Sequence, residues 1–214
     1  MLRHRLGLYV ITYADTSAGG GHLDVAAAAL EGGADAIQLR AKELGGREMH
    51  ELASRICAMA RQRGDCIFFV NDRVDVAMAS GADGVHLGQE DLELEAARSL
   101  VGEDMIVGIS ATTVEEAKRA EAGGADYLGV GPVFATPSKP DAVLPMGLEG
   151  LEEIRGAVAL PIVAIGGVSE ANARQVFDAG ADGIAVISAV TGTADMAGAV
   201  RALRRLVDGC LRGR

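Results

Sequence analysis

Four short segments of the chain repeat one another: Gly33-Ala34-Asp35-Ala36-Ile37, Gly81-Ala82-Asp83-Gly84-Val85, Gly124-Ala125-Asp126-Tyr127-Leu128 and Gly180-Ala181-Asp182-Gly183-Ile184. Each follows a helix-like stretch and precedes a short apolar run. Glycine is suited to close a helix, and the Ala-Asp turn then leads into a strand. The repeats lie 43 to 56 residues apart. One βα unit needs about half that span, so the repeat marks every second unit.

The units in between are predicted from four short, β-rich, continuously apolar runs: Leu8–Thr12, Ile67–Val70, Met105–Ile109 and Pro161–Ile165. Such runs fit a parallel sheet covered on both faces. With repeat strands near residues 36–40, 84–87, 127–131 and 183–187 they make eight. The stretches between them are amphipathic; Met49, Leu52, Ala53, Ile56 and Ala60 share one helical face. Eight alternations predict one α/β domain over residues 1–214, a (β/α)8 TIM barrel. An open doubly wound sheet is the alternative, but no Gly-x-Gly-x-x-Gly follows the first strand.

At 49% hydrophobic residues the 214-residue chain can build such a core, and the 29 glycines with only 3% aromatics suit close helix-on-strand packing. A net charge of −10 argues against nucleic acid or an acidic membrane as partner. No segment approaches the ~20 apolar residues of a membrane span, and the apolar run after Arg5 is too short for a signal-peptide core. Cys57, Cys66 and Cys210 are odd in number and lack metal-ligand spacing, which suits free buried thiols in a reducing cytoplasm. The chain is compatible with a homo-oligomer.

Active sites of this fold lie at the C-terminal mouth of the barrel, so the residues that end each strand carry the functional reading. They are Gln38-Leu39-Arg40-Ala41-Lys42, Asn71-Asp72-Arg73, His86-Leu87-Gly88-Gln89-Glu90-Asp91, Ser110, the segment from Gly131 to Lys139, Gly166-Gly167, and Ile187-Ser188. Asp72 and Asp91 would each serve equally well as a helix cap. As a pair on neighbouring strands, without cysteine or histidine clusters, they suit one Mg²⁺ that also takes substrate phosphate oxygens. Arg40, Lys42 and Lys139 read as phosphate contacts. Gly166-Gly167 and the Ser188 turn stand where this fold holds a phosphate on backbone N–H groups, although a glycine pair also makes a simple tight turn. The repeat aspartates fall at the opposite end and read as structural, and Asp75 as a first-turn helix charge. His86 faces a substrate ring or is a satisfied core histidine. His4, His22 and His50 read as peripheral, and no histidine stands beside a candidate nucleophile.

These motifs, from Gln38-Leu39-Arg40-x-Lys42 through Asn71-Asp72-Arg73-x-Asp75, His86-Leu87-Gly88-Gln89-x-Asp91, Gly108-Ile109-Ser110, Gly129-x-Gly131-Pro132-x-Phe134, Thr136-x-Ser138-Lys139 and Ile165-Gly166-Gly167 to Ser188-Ala189, strongly resemble those of the thiamine phosphate synthase family, in order and over nearly the whole chain. The resemblance implies a transferase that joins a pyrimidine diphosphate to a thiazole phosphate. It implies that Gln38, Leu39, Arg40, Ala41, Lys42, Asn71, Ser110 and Lys139 bind the pyrimidine diphosphate. Thr136, Pro137, Ser138, Gly167, Ile187 and Ser188 would hold the thiazole phosphate, and Asp72 and Asp91 the Mg²⁺. The family often has Thr-x-Thr-Lys where this chain has Thr136-Pro137-Ser138-Lys139. Serine keeps the hydroxyl, and Pro137 stiffens the turn. The nucleophile of such a coupling carries no proton to remove, which fits the missing general base. Residues 132–144 are the candidate lid. The rival readings are a thiazole tautomerase on the same barrel and a non-catalytic phosphate-ligand sensor.

Overall fold

The computed structural model describes residues 2–14, 19–136 and 144–212. A 3-10 turn, Leu2–Arg5, leads into eight parallel strands: β1 (Leu8–Ile11), β2 (Ala36–Leu39), β3 (Ile67–Asn71), β4 (Gly84–Leu87), β5 (Ile106–Ala111), β6 (Tyr127–Val130), β7 (Ile162–Ala164) and β8 (Gly183–Val186). They close in sequence order, with β8 pairing back onto β1, so the barrel is the fold the repeat implies. Between them run α1 (His22–Gly32), α2 (Gly46–Arg63), α3 (Val74–Ser80), α4 (Leu94–Val101), α5 (Val114–Ala122), α6 (Gly147–Ala157) and α7 (Ala173–Asp178). A one-turn α8 (Ser188–Thr191) and a long α9 (Met196–Leu211) follow β8. No described helix is long and apolar enough to cross a membrane.

The repeat is a clamp with the same wiring four times. Its glycines all have positive φ, between 68° and 101°. The alanine N–H then reaches back to a carbonyl five residues upstream, as in Ala34 to Ala29 (2.9 Å) and Ala82 to Ala77 (3.0 Å), closing the helix in a Schellman turn. The aspartate next bonds twice to one residue of the preceding strand. Its Oδ2 accepts the N–H of Leu8, Phe68, Val107 or Ile162 at 2.8–2.9 Å. Its own N–H donates to the carbonyl of that same residue at 2.8–2.9 Å. Each even strand is thus latched to the base of the odd strand before it.

Alternation along the strands gives two apolar layers. One lies between barrel and helices and includes Val10, Ile37, Leu39, Val70, Val85 and Val130. The other fills the barrel with Tyr9, Phe69, Tyr127, Val163 and Ala185. Tyr9 stacks on Phe69 at 5.2 Å between ring centroids, and Phe69 meets Tyr127 edge-on at 5.4 Å. Glycines make room for these rings. A Cβ on Gly84 would come within 2.5 Å of Phe69, and one on Gly108 within 2.2 Å of Tyr127. The three cysteines are free and buried, and burial pushes the Cys66 thiol up to about 12, which leaves it inert as a nucleophile.

Candidate active site

The strand ends converge as the barrel requires. Gln38, Arg40, Asn71, His86 and Ser110 line one cavity that opens above the aromatic plug of Tyr9 and Tyr127. Beside it, Lys42, Asn71 and Asp72 line a second hollow. Arg40 forms no ion pair among the described residues, which leaves its guanidinium for a ligand. Leu39 and Ala41 alternate away: both are buried in the helix–strand layer, so only their backbone faces the mouth.

Asp72 is the one non-glycine among the described residues in the left-handed region, at φ 62°. Such a conformation costs about 1–3 kcal/mol and marks functional loops. It follows from two fixed neighbours. The Asp72 N–H donates to the His86 carbonyl at 2.9 Å, and the Arg73 N–H doubles back to the Asn71 carbonyl at 2.7 Å. Arg73 leaves the site to pair with Asp75, the first-turn charge of α3, at 2.6 Å. The Asp72 carboxyl feels the carboxyl of Asp91. Asp91 is set by its own turn, with Oδ2 accepting the Gly88 N–H at 2.7 Å. Burial first, and the neighbouring Asp91 carboxyl second, push Asp72 up to about 6, against the opposing pull of Lys42. The Lys42 ammonium is 3.5 Å from Asp72 Oδ2 and largely exposed.

Two adjacent carboxyls that one exposed lysine does not neutralise fit a hard divalent cation. The described residues contain no group of three or more His, Cys, Asp or Glu that could hold a metal. A cation between Asp72 and Asp91 would therefore take its other oxygens from water and substrate phosphate, as Mg²⁺ commonly does.

On the far side of the mouth, Gly166 (φ 98°) and Gly167 (φ 63°) turn the chain after β7. A Cβ on Gly166 would strike Pro132 Cα at 2.5 Å, and one on Gly167 the Ala135 carbonyl at 2.6 Å. The glycine pair is thus also a packing device: Val133 and Phe134 donate to the carbonyls of Ile165 and Gly166 at 2.9 and 3.0 Å. The described chain on either side of residues 137–143 is joined: Met146 and Gly147 donate to the carbonyls of Pro132 and Val133 at 2.9 and 3.1 Å. Thr136 follows this anchored stretch, half-buried. Pro137, Ser138 and Lys139, like the rest of the candidate lid to residue 143, lie outside the described residues. Ile187 is buried and Ser188 exposed at the start of α8. The structure thus gathers Gln38, Arg40, Lys42, Asn71, Asp72, Asp91 and Ser110 on one side, with Gly167, Ile187 and Ser188 in the β7 and β8 turns.

Sequence reasoning missed three residues here. His22, read as peripheral, is buried, and its Nδ1 is 2.7 Å from the Thr12 hydroxyl at the end of β1. Thr12 Oγ1 also accepts the Arg40 N–H at 3.3 Å, so this pair anchors the β2 loop. Tyr9 and Tyr127, read only as strand residues, close the floor of the cavity. His86 is the satisfied histidine of its expectation, hydrogen-bonded at both ring nitrogens, and it also lines the cavity.

The family profile described as Thiamine monophosphate synthase matches residues 8–190. This chain belongs to that family. A thiamine-phosphate synthase of Moorella thermoacetica is 55% identical over 202 residues, covering 94% of this chain and 95% of the relative. One from Chloroflexus aurantiacus is 52% identical over 201 residues, covering 94% and 92%. Among solved structures, the thiamine phosphate pyrophosphorylase from Pyrococcus furiosus superposes with a TM-score of 0.91 at 47% identity, covering 99% of this chain and all of that one. As a member of the thiamine monophosphate synthase family the chain is an enzyme of the transferase class, and the mouth of the barrel is where its chemistry-bearing side chains converge.

Proposed function

We propose that the enzyme couples 4-amino-5-hydroxymethyl-2-methylpyrimidine diphosphate with 4-methyl-5-(2-phosphoethyl)thiazole to give thiamine phosphate and pyrophosphate, or with the thiazole's carboxylate to give the same products and CO2. The observation that carries this reading is the Asp72–Asp91 carboxyl pair beside Lys42 at the barrel mouth, in a chain whose relatives are named for thiamine phosphate synthesis.

Gln38 and Ser110 face the pyrimidine, while Arg40, Lys42, Asn71 and Lys139 take the diphosphate. Asp72 and Asp91 would hold the Mg²⁺, which when bound supplies charge neutralisation for the diphosphate. The bond between the pyrimidine methylene and the diphosphate oxygen breaks, and its electron pair leaves with pyrophosphate. The aminopyrimidine stabilises the cationic methylene left behind, and the thiazole nitrogen lone pair forms the new C–N bond. No proton moves, so no general base is needed. What the chain contributes is placement, cationic side chains at the departing charge and a dry floor of Tyr9 and Tyr127. The second anion, the thiazole phosphate, lies in a site lined by Thr136, Pro137 and Ser138 and is gripped by Gly167, Ile187 and Ser188, largely through backbone N–H groups.

The test is to mix the purified chain with both substrates and Mg²⁺ and to measure thiamine phosphate and pyrophosphate together. Equal yields of the two, lost when the cation is chelated, are expected. Conversion of the thiazole alone without pyrophosphate would instead make it a thiazole tautomerase, and binding without turnover a sensor.

A further inference from the structure

A line of five side chains crosses the floor of the cavity from β2 to β5. Gln38 Nε2 donates to the Tyr9 hydroxyl at 2.9 Å. Tyr9 and Tyr127 join hydroxyl to hydroxyl at 3.1 Å. The Tyr127 hydroxyl is 2.9 Å from His86 Nδ1, and His86 Nε2 is 3.0 Å from Ser110 Oγ. Gln38, Tyr9 and Tyr127 are at most 3% exposed. Both ends, Gln38 and Ser110, line the same cavity.

We propose that Tyr9, Tyr127 and His86 are positioning residues that fix the hydrogen-bond polarity of the pocket, making Ser110 a donor and Gln38 an acceptor toward the bound heterocycle. The proposal rests on the pyrimidine reading above and deepens it. The polarity follows from counting protons. An amide nitrogen only donates, so the Tyr9 oxygen accepts from Gln38 and its single proton goes to Tyr127. Tyr127 has then accepted one bond, and its own proton goes to His86 Nδ1. That nitrogen must be bare, which places the ring proton on Nε2, donated to Ser110 Oγ. The Ser110 proton is left for the cavity. At the other end Tyr9 takes one of the two amide N–H bonds, which fixes the orientation of the amide, and the Gln38 carbonyl is the one group of that side chain that accepts. Burial raises both phenols well above their ordinary range, so each keeps its proton and the line carries no ion.

One donor and one acceptor match a ring nitrogen beside an exocyclic amine, the edge that a 4-aminopyrimidine presents. A 4-oxo analogue reverses both roles, with an N–H facing the Ser110 donor and a carbonyl facing the Gln38 acceptor. Polar sites reject such mismatches strongly because their buried groups are left unpaired. The wild type should therefore favour the 4-amino over the 4-oxo pyrimidine diphosphate by about 10²-fold or more in kcat/KM.

Two measurements decide the matter. Nitrogen-15 NMR of imidazole-labelled, unliganded enzyme should show His86 as the Nε2-protonated tautomer; the Nδ1-protonated form would overturn the proposal, whatever the enzyme catalyses. In Tyr127→Phe, which keeps the ring and removes the middle link, the 4-amino over 4-oxo preference should fall at least ~10-fold. Its KM for the pyrimidine diphosphate should rise while KM for the thiazole phosphate holds. An unchanged preference in a folded variant would refute the polarity argument. If the wild type neither binds nor turns over the aminopyrimidine diphosphate, the functional reading fails, and the tautomer spectrum still decides the relay.

Discussion

The four clamp aspartates share one wiring but not one environment, and that difference predicts unequal losses of stability. Asp182 is 6% exposed. It accepts the Ile162 N–H at 2.9 Å and the Arg155 guanidinium at 3.2 Å, with Arg3 also at 3.2 Å. Replacing it with alanine orphans a buried amide and leaves Arg155 without its counter-charge; burial already lowers the Arg155 pKa, and Asp182 opposes that shift. Breaking a buried pair on one side costs about 3–5 kcal/mol. Arg155 keeps the Leu160 carbonyl at 2.9 Å and that of Val158, and Arg3 is too exposed to add much, so about 3 kcal/mol is expected. Asp83 is exposed and binds the Phe68 N–H alone. Water can replace much of that bond, and Asp83→Ala should cost about 0.5–1.5 kcal/mol. For a domain of this size the gap of about 2 kcal/mol corresponds to roughly 4–8 °C in Tm. Thermal unfolding of the two variants side by side reads it directly. Both should retain wild-type coupling rates at a temperature where they are folded, because the clamps lie at the barrel end opposite the mouth. Equal Tm losses, or a larger loss for Asp83→Ala, would refute the reasoning that partner burial sets the cost.

Other expectations concern the mouth and the core. Asp72→Ala or Lys139→Ala should lower the coupling rate by roughly 10²-fold or more in a steady-state pyrophosphate assay. Burial lowers the His22 pKa below its ordinary 6.5, with Glu43 pulling the other way and Thr12 as the ring's hydrogen-bond partner. The unfolded chain therefore binds the proton first; the protein is at full stability above about pH 6.5 and loses stability as the pH falls through the interval below it. Urea midpoints should fall over that range in wild type and less in His22→Gln. Gly84→Ala would set a Cβ 2.5 Å from the Phe69 ring and 2.6 Å from the Ile106 carbonyl, with an expected loss of about 1–3 kcal/mol by urea unfolding.

The repeat made the barrel legible because each of its residues does something local. A glycine with positive φ ends the helix and an aspartate latches the strand behind it, so four copies plus four apolar runs leave little choice of fold. The mouth was legible for the same reason: Arg40, Asp72, Asp91 and Ser110 fall where strands stop or nearly stop. What was not legible depends on partners far apart in sequence. The Tyr9–Tyr127 contact joins residues from β1 and β6, and only the barrel's closure shows that both rings point inward. His22 looked peripheral because only the folded chain sets the first residue of α1 against Thr12 at the end of β1. Leu39 and Ala41 sit inside the most telling motif, yet strand alternation turns their side chains away from the mouth.

The central claim is that one divalent ion joins Asp72, Asp91 and the departing diphosphate. A crystal structure of the enzyme grown with thiamine phosphate, pyrophosphate and Mg²⁺ tests it most directly. The prediction is a cation about 2.1 Å from one oxygen of each aspartate and from pyrophosphate, with Arg40 and Lys42 on the same anion. A cation that avoids either aspartate, or pyrophosphate bound away from the β2 and β3 ends, would contradict it.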